Sequence, residues 1–172
     1  MVGIYNMGVS WNGNVRETYA KNKTSMSDIK SQVTIRTFRP GDYDQVLQVW
    51  EATGLGGAHR GDNLPVILHS ISIGGKLLLA CMPDGSVIGT SWITYDGRRM
   101  HLHHVGVLPQ YQRQGIGSLL SEESVRYARE KNTQIKLEVH LTNKGAIALY
   151  RRLGFTYLGD YDVYIMRETQ EK

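Results

Sequence analysis

Residues 105–117 read VGVLPQYQRQGIG, and this stretch organises the whole chain. Its first part, Val105-Gly106-Val107-Leu108, is apolar and β-branched and reads as the end of a strand. Its last part, Gln112-Arg113-Gln114-Gly115-Ile116-Gly117, leads into SLLSEESVRYAREKN, which reads as a helix. Ile116, Leu119, Leu120, Tyr127 and Ala128 fall on one helical face, with Glu123 near its centre and Val125 off it. A glycine-rich turn between a strand and a helix points several backbone N–H groups at one place, where the helix dipole adds positive potential. Glycines let an anion approach the backbone with no Cβ in the way. Arg113 and the amides of Gln112 and Gln114 add donors, and no carboxylate opposes them. The stretch therefore reads as a pyrophosphate cradle. A glycine turn serving only tight packing is the alternative. It is not a P-loop, having no GK[ST], and it lacks the third glycine of the dinucleotide-binding fingerprint.

Working outward, the segments alternate in a recognisable order. VTIRTF (33–38) alternates as a strand. RPGDYDQVLQVWEATGL (39–55) follows as a helix, with Asp42 as a candidate N-cap and a stop near Gly54. LPVILHSISI (64–73) has helical spacing, with Pro65 in its first turn. KLLLACM (76–82) and SVIGTSWITY (86–95) read as strands joined by the turn PDG, and DGRR leads to the strand MHLHHVGV (100–107). After the long helix, QIKLEVHL (134–141) is the next strand. Asn143 then caps KGAIALYRRL, with Gly154 at C′. FTYLGD and YDVYIMR are read as a closing strand pair. A strand–helix–strand crossover implies one parallel pair inside an otherwise antiparallel sheet. The expectation is an α/β (α+β) fold with a central parallel pair and about four flanking helices.

Composition narrows the class. The 172 residues are 41% hydrophobic and 21% charged, which suits one globular domain with a sizeable core. Residues 1–31 are polar and aperiodic and are expected to be a disordered or loosely docked extension, leaving a domain over 32–172. The start lacks the pattern of a secretory signal and no apolar run is of membrane-spanning length, so a cytoplasmic protein without a membrane partner is expected. The single cysteine, Cys81, can form no internal disulfide and lies in an apolar run, where it reads as a buried small side chain rather than a catalytic thiol. A net charge of +4 suits a polyanionic ligand but is too small to argue for nucleic acid.

Two motifs in order, VGVLPQYQRQGIG and LEVHLTNKGAIALYRRLGF, resemble the GNAT superfamily of acyl-CoA-dependent N-acetyltransferases, over roughly residues 33–167. The first is similar to its V-x-V…[QR]-x-x-G-x-[GA] signature, the second to its strand and N-x-x-A-x-x-L-Y-x-x-x-G-F helix. The resemblance implies the family's fold, acetyl-CoA as co-substrate and a primary amine as acceptor. It implies that Val105, Gly106 and Val107 pair with the pantetheine arm like an added strand, and that Gln112, Arg113, Gln114, Gly115, Ile116 and Gly117 hold the pyrophosphate. It implies that Asn143 contacts the cofactor while also capping its helix. Tyr150 would protonate the departing thiolate; its alternative is a core aromatic with a polar tip.

Glu138 stands twelve residues before Tyr150, a spacing that resembles the bacterial branch acetylating the N-terminal alanine of a ribosomal protein, where a glutamate at this place is the base. A solvated strand carboxylate or an ion pair with Lys136 is the alternative. His101, His103 and His104 compete for the role of base, since histidine ordinarily titrates nearer neutrality than glutamate. Strand alternation puts His101 and His103 on one face and His104 on the other, barring a bulge. These histidines with His140 also raise a metal site, but HExxH, a cysteine cluster and a carboxylate partner are missing, so no metal is expected. A non-catalytic acyl-CoA sensor is a further reading. The closing strands have a shorter connection than in the alanine-acetylating branch, which leaves a peptide N-terminus and a small amine both open as acceptors. The region 52–65 is expected to form another wall of the acceptor site. Members of the family are often dimers, which makes a homodimer an expectation here.

Overall fold

A computed structural model describes residues 29–56, 61–159 and 163–164 of the chain. Five strands run in the order β1 (Thr34–Thr37), β2 (Lys76–Cys81), β3 (Val87–Tyr95), β4 (Met100–Val107) and β5 (Ile135–Leu137), and they lie side by side in that same order. The first four pair antiparallel, and β4 pairs with β5 in parallel, so the mixed sheet read from the crossover is present. Among the described residues β5 is the edge of the sheet and not its centre. It is also shorter than the strand read at 134–141: pairing with β4 runs from Met100↔Ile135 to Leu102↔Leu137 and stops. Of the expected closing pair, Phe155–Gly159 carries no strand, and most of the second lies outside the described residues.

Helices α1 (Tyr43–Thr53), α2 (Leu64–Ser72), α3 (Ile116–Glu130) and α4 (Lys144–Arg152) accompany the sheet, with a further helical turn at residues 29–32. Alternation along the strands yields two cores. One gathers Val46, Val49 and Trp50 of α1 and Ile67 of α2 with Leu77, Leu79 and Trp92. The other gathers Ile116, Leu120 and Ala128 of α3 with Leu78, Ala80, Ile93, Met100 and Leu102. Ile29 and Val33 pack against this second cluster, so ordered packing begins within the stretch read as an extension; residues 1–28 lie outside the described ones. Cys81 is buried, and burial pushes its thiol pKa up, in keeping with an inert side chain.

Most polar groups in these cores are partnered, as burial favours, with Ser121 Oγ an exception among the described residues. The Trp50 indole donates to Thr90 Oγ1 at 3.0 Å, and Thr90 donates in turn to the carbonyl of His104 at 3.0 Å. Ser91 and Ser124 bond at 2.8 Å and tie α3 to β3.

Two expectations about local structure need correction. Asp42 does not cap α1: its carboxylate is taken by the Arg36 guanidinium in two bonds of 2.7 Å, and it accepts a third from the Arg39 N–H. The bond from Arg36 holds its pKa below the usual carboxylate value. Val125 is buried, and Glu123 is accommodated by pairing with Arg126, whose Nε lies 2.7 Å from its Oε2. Asn143 does cap α4, accepting from the Ala146 N–H at 3.1 Å, and Gly154 follows that helix at φ 93°.

Candidate active site

Because β5 leaves β4 after Leu102, the β4 edge beyond that point has no strand partner on this side among the described residues. A cavity of about 350 Å³ opens there. Its wall brings together Val105, Gly106 and Val107 of β4, Gln112, Arg113 and Gly117 of the glycine-rich turn, and Asn143 at the start of α4. Thr53, Leu55 and Tyr111 complete it. Tyr111 was not anticipated from sequence, although it lies inside the first motif, directly before Gln112. Thr53 and Leu55 come from the region expected to wall the acceptor site. A Cβ at Gly106 would come 2.5 Å from Leu55 Cδ1 and 3.0 Å from Thr53 Oγ1, so a larger residue there requires the Leu55 side chain to move.

The turn itself leaves backbone donors open. Arg113 at φ 60° and Gly115 at φ 83° both sit in the left-handed region, and Gly115 precedes the first residue of α3. A non-glycine residue in this region costs roughly 1–2 kcal/mol, a strain that tends to collect at functional sites. Among the described residues, no backbone N–H of residues 113–117 donates to a protein acceptor, whereas the N–H groups of Gln112, Ser118 and Leu119 do. The side-chain amides are engaged locally: Gln112 Nε2 donates to the Val107 carbonyl at 2.8 Å and Gln114 Nε2 to the Gln110 carbonyl at 3.2 Å. The donors left for a ligand are therefore backbone N–H groups at the start of a 15-residue helix, with Arg113 among the residues of the cavity wall. Ile116 has its side chain in the core, so only its backbone belongs to the cradle. This donor set fits the pyrophosphate of an acyl-CoA.

Tyr150 and Glu138 lie outside the cavity wall, on elements that flank it. Tyr150 follows Asn143 by two turns of α4, about 10 Å along the helix. Its ring meets Phe155 edge to face at 5.6 Å, and its hydroxyl makes no hydrogen bond among the described residues. Burial raises its pKa, so it stays protonated at neutral pH. Glu138 follows β5 directly, is about half exposed, and places Oε1 3.9 Å from His101 Nε2.

The histidines are arranged differently from the simple alternation. The β3–β4 register jumps between Thr90↔Gly106 and Trp92↔His103, and His104 takes φ 47°. This bulge turns His104 toward the face shared by His103, so its ring packs on Trp50 at 4.7 Å and on Trp92 at 5.4 Å. His104 Nε2 meets Asp62 Oδ2 at 3.1 Å. His101 and His103 stack at 3.8 Å, and His103 Nε2 bonds Thr94 Oγ1 at 2.9 Å. Burial, together with Lys136 for His101 and the neighbouring histidines for His103, lowers both pKa values to about 4. Both are thus neutral at pH 7 and weaker bases than a free imidazole. Among the described residues no group of three potential ligands converges as a metal site.

These shifts predict acid sensitivity. Folded His101 and His103 refuse protons that the unfolded chain accepts near pH 6.5, so their contribution is complete above that pH and is lost as pH falls toward 4. Charges facing them, Glu138, Asp96 and Asp62, oppose the shift only in part. Thermal unfolding should show a midpoint falling by a few degrees between pH 6.5 and 4.5. A variant with glutamine at both positions should have a flatter profile.

The fold and this site define an acetyltransferase architecture, and the comparisons agree. The family model described as Acetyltransferase (GNAT) family matches residues 48–155. The chain belongs to the GNAT acetyltransferase family. Among solved structures it is similar to a GNAT family acetyltransferase from Streptococcus pneumoniae, with 29% identity and a TM-score of 0.62 over 81% of this chain and 99% of that one. It also shares its fold with the ribosomal-protein-S18-alanine N-acetyltransferase of Escherichia coli, at 22% identity and TM-score 0.61 over 72% of this chain and 77% of that one. A third is the aminoglycoside 6′-N-acetyltransferase of Acinetobacter baumannii, at 19% identity and TM-score 0.61 over 80% and 99%. Among the described residues no helix is long and apolar enough to cross a membrane.

Proposed function

We propose that this protein transfers the acetyl group of acetyl-CoA directly to a primary amine, with Tyr150 as general acid and Glu138 as general base. The observation that carries the reading is the row of unengaged backbone N–H groups at residues 113–117, beside a β4 edge left open by the departure of β5. Acetyl-CoA supplies an activated carbonyl. The chain's own part is to hold the phosphates at 113–117, align the pantetheine arm along Val105–Val107, and move two protons. The amine nitrogen forms the new C–N bond as the C–S bond breaks. The amine proton passes to Glu138, and the thiolate takes a proton from the Tyr150 hydroxyl.

Protonation energetics favour an α-amine or small primary amine over an internal lysine. With a pKa near 7.8, an α-amine costs about 1 kcal/mol to neutralise at pH 7, against about 4.6 kcal/mol for a lysine side chain. The half-exposed Glu138 suits the smaller task. The test is a panel of amines, free-N-terminal peptides and N-terminally blocked lysine peptides, assayed for CoA release. The free amines should be preferred, and preference for the blocked lysine peptides would reject the assignment. Glu138→Gln should slow turnover of an α-amine at pH 7 by roughly sevenfold, the factor set by its neutralisation cost, with much of the rate regained at high pH, where the amine deprotonates unaided. If this variant is unimpaired and His101→Ala shows the pH-rescued loss instead, the base is the strand histidine.

A further inference from the structure

We infer that Lys30, from the helical turn ahead of β1, is part of the cofactor site and binds the pyrophosphate beside Gly115. The inference rests on the acyl-CoA reading above and adds a residue outside both motifs. Ile29 and Val33 pack on the core formed with α3, which fixes the turn that carries Lys30 against that helix. The Lys30 side chain lies over Gly115: an ideal Cβ on that glycine would come 3.2 Å from Lys30 Cδ, 3.4 Å from Cε and 3.6 Å from Nζ. The ammonium is thus held at the N-terminus of α3.

By charge alone this is the wrong place for it. A helix N-terminus carries positive potential and disfavours cations. Arg113 is already there, and among the described residues neither Lys30 nor Arg113 has a carboxylate partner. A cation beside unengaged N–H groups finds its favourable partner when an anion of charge about −2 binds there. The pyrophosphate is the anion proposed for this turn, and Lys30 adds a cation over Gly115 to the donors there.

The test measures dissociation constants of acetyl-CoA, acetyl-3′-dephospho-CoA and S-acetylpantetheine for the full chain and its Lys30→Met variant. The variant should bind the first two about tenfold more weakly, the size of one charge-assisted bond, and S-acetylpantetheine unchanged. Lys30→Arg should restore binding, and the unliganded melting temperature should stay within a degree or two of the original. Unchanged affinities, or a loss confined to acetyl-CoA (a 3′-phosphate contact), would overturn the role assigned to Lys30. So would an equal loss for S-acetylpantetheine, since that reports a structural defect. If the unaltered protein binds none of the three, the cofactor reading itself fails, and the inference with it.

Discussion

Replacing Gly117 by valine should abolish the stabilisation that acetyl-CoA confers while leaving the protein folded. At a hundredfold excess over its dissociation constant, a ligand that binds only the native state adds about 2.7 kcal/mol, or roughly 5–10 °C in melting temperature for a chain of this size. Gly117 lies in the cavity wall, and a Cβ added there meets only Val107 Cγ2, at 4.0 Å. Its φ is not in the left-handed region, so a side chain is tolerated by the fold and extends into the space intended for the ligand. The unliganded valine variant should lose only the few tenths of a kcal/mol expected of a β-branched residue in a first helical turn. A melting shift in the variant equal to that of the parent would show that the cradle is elsewhere. A parent with no shift for any acyl-CoA would remove the cofactor reading.

Tyr150→Phe should lower kcat by roughly 10²–10⁴-fold with little change in acetyl-CoA affinity. The substitution keeps the ring, its packing on the second core and its edge-to-face contact with Phe155. It removes only the hydroxyl, whose proton burial holds in place. Burial makes this hydroxyl hold its proton more tightly than a free tyrosine, so it gives the proton up only as negative charge develops on the sulfur with C–S cleavage. Full kcat under conditions where chemistry limits turnover would return Tyr150 to the role of a core aromatic. Loss of turnover in every amine tested, with acetyl-CoA binding intact in the unaltered protein, would instead favour a sensor.

Much of the architecture was legible because it is encoded by local periodicity. The strand signal in SVIGTSWITY, the PDG turn and the Asn143 cap each need only a few neighbouring residues, and each is where the chain suggested. Asp42 was misjudged because a short acidic side chain before a helix has two outlets. Arg36 on β1 offers two charge-assisted bonds of 2.7 Å where the helix start offers one neutral donor. The length of QIKLEVHL was overread because strand propensity does not say whether a partner is alongside.

By itself the sequence determined the class of protein: the order of elements, the glycine-rich start of α3, and the residues of both motifs, all set by short-range chemistry. Tertiary structure alone decided which of these residues converge. The end of β4–β5 pairing at Leu102 opens the cavity, and no local pattern encodes where two strands distant in sequence part. The bulge at His104 depends on the register imposed by β3, and it moves one histidine to the face of the others. Lys30 meets Gly115 only because Ile29 and Val33 find the core beside α3. Each of these is a contact between segments far apart in the chain, selected by burial of apolar surface rather than by the preferences of the residues themselves.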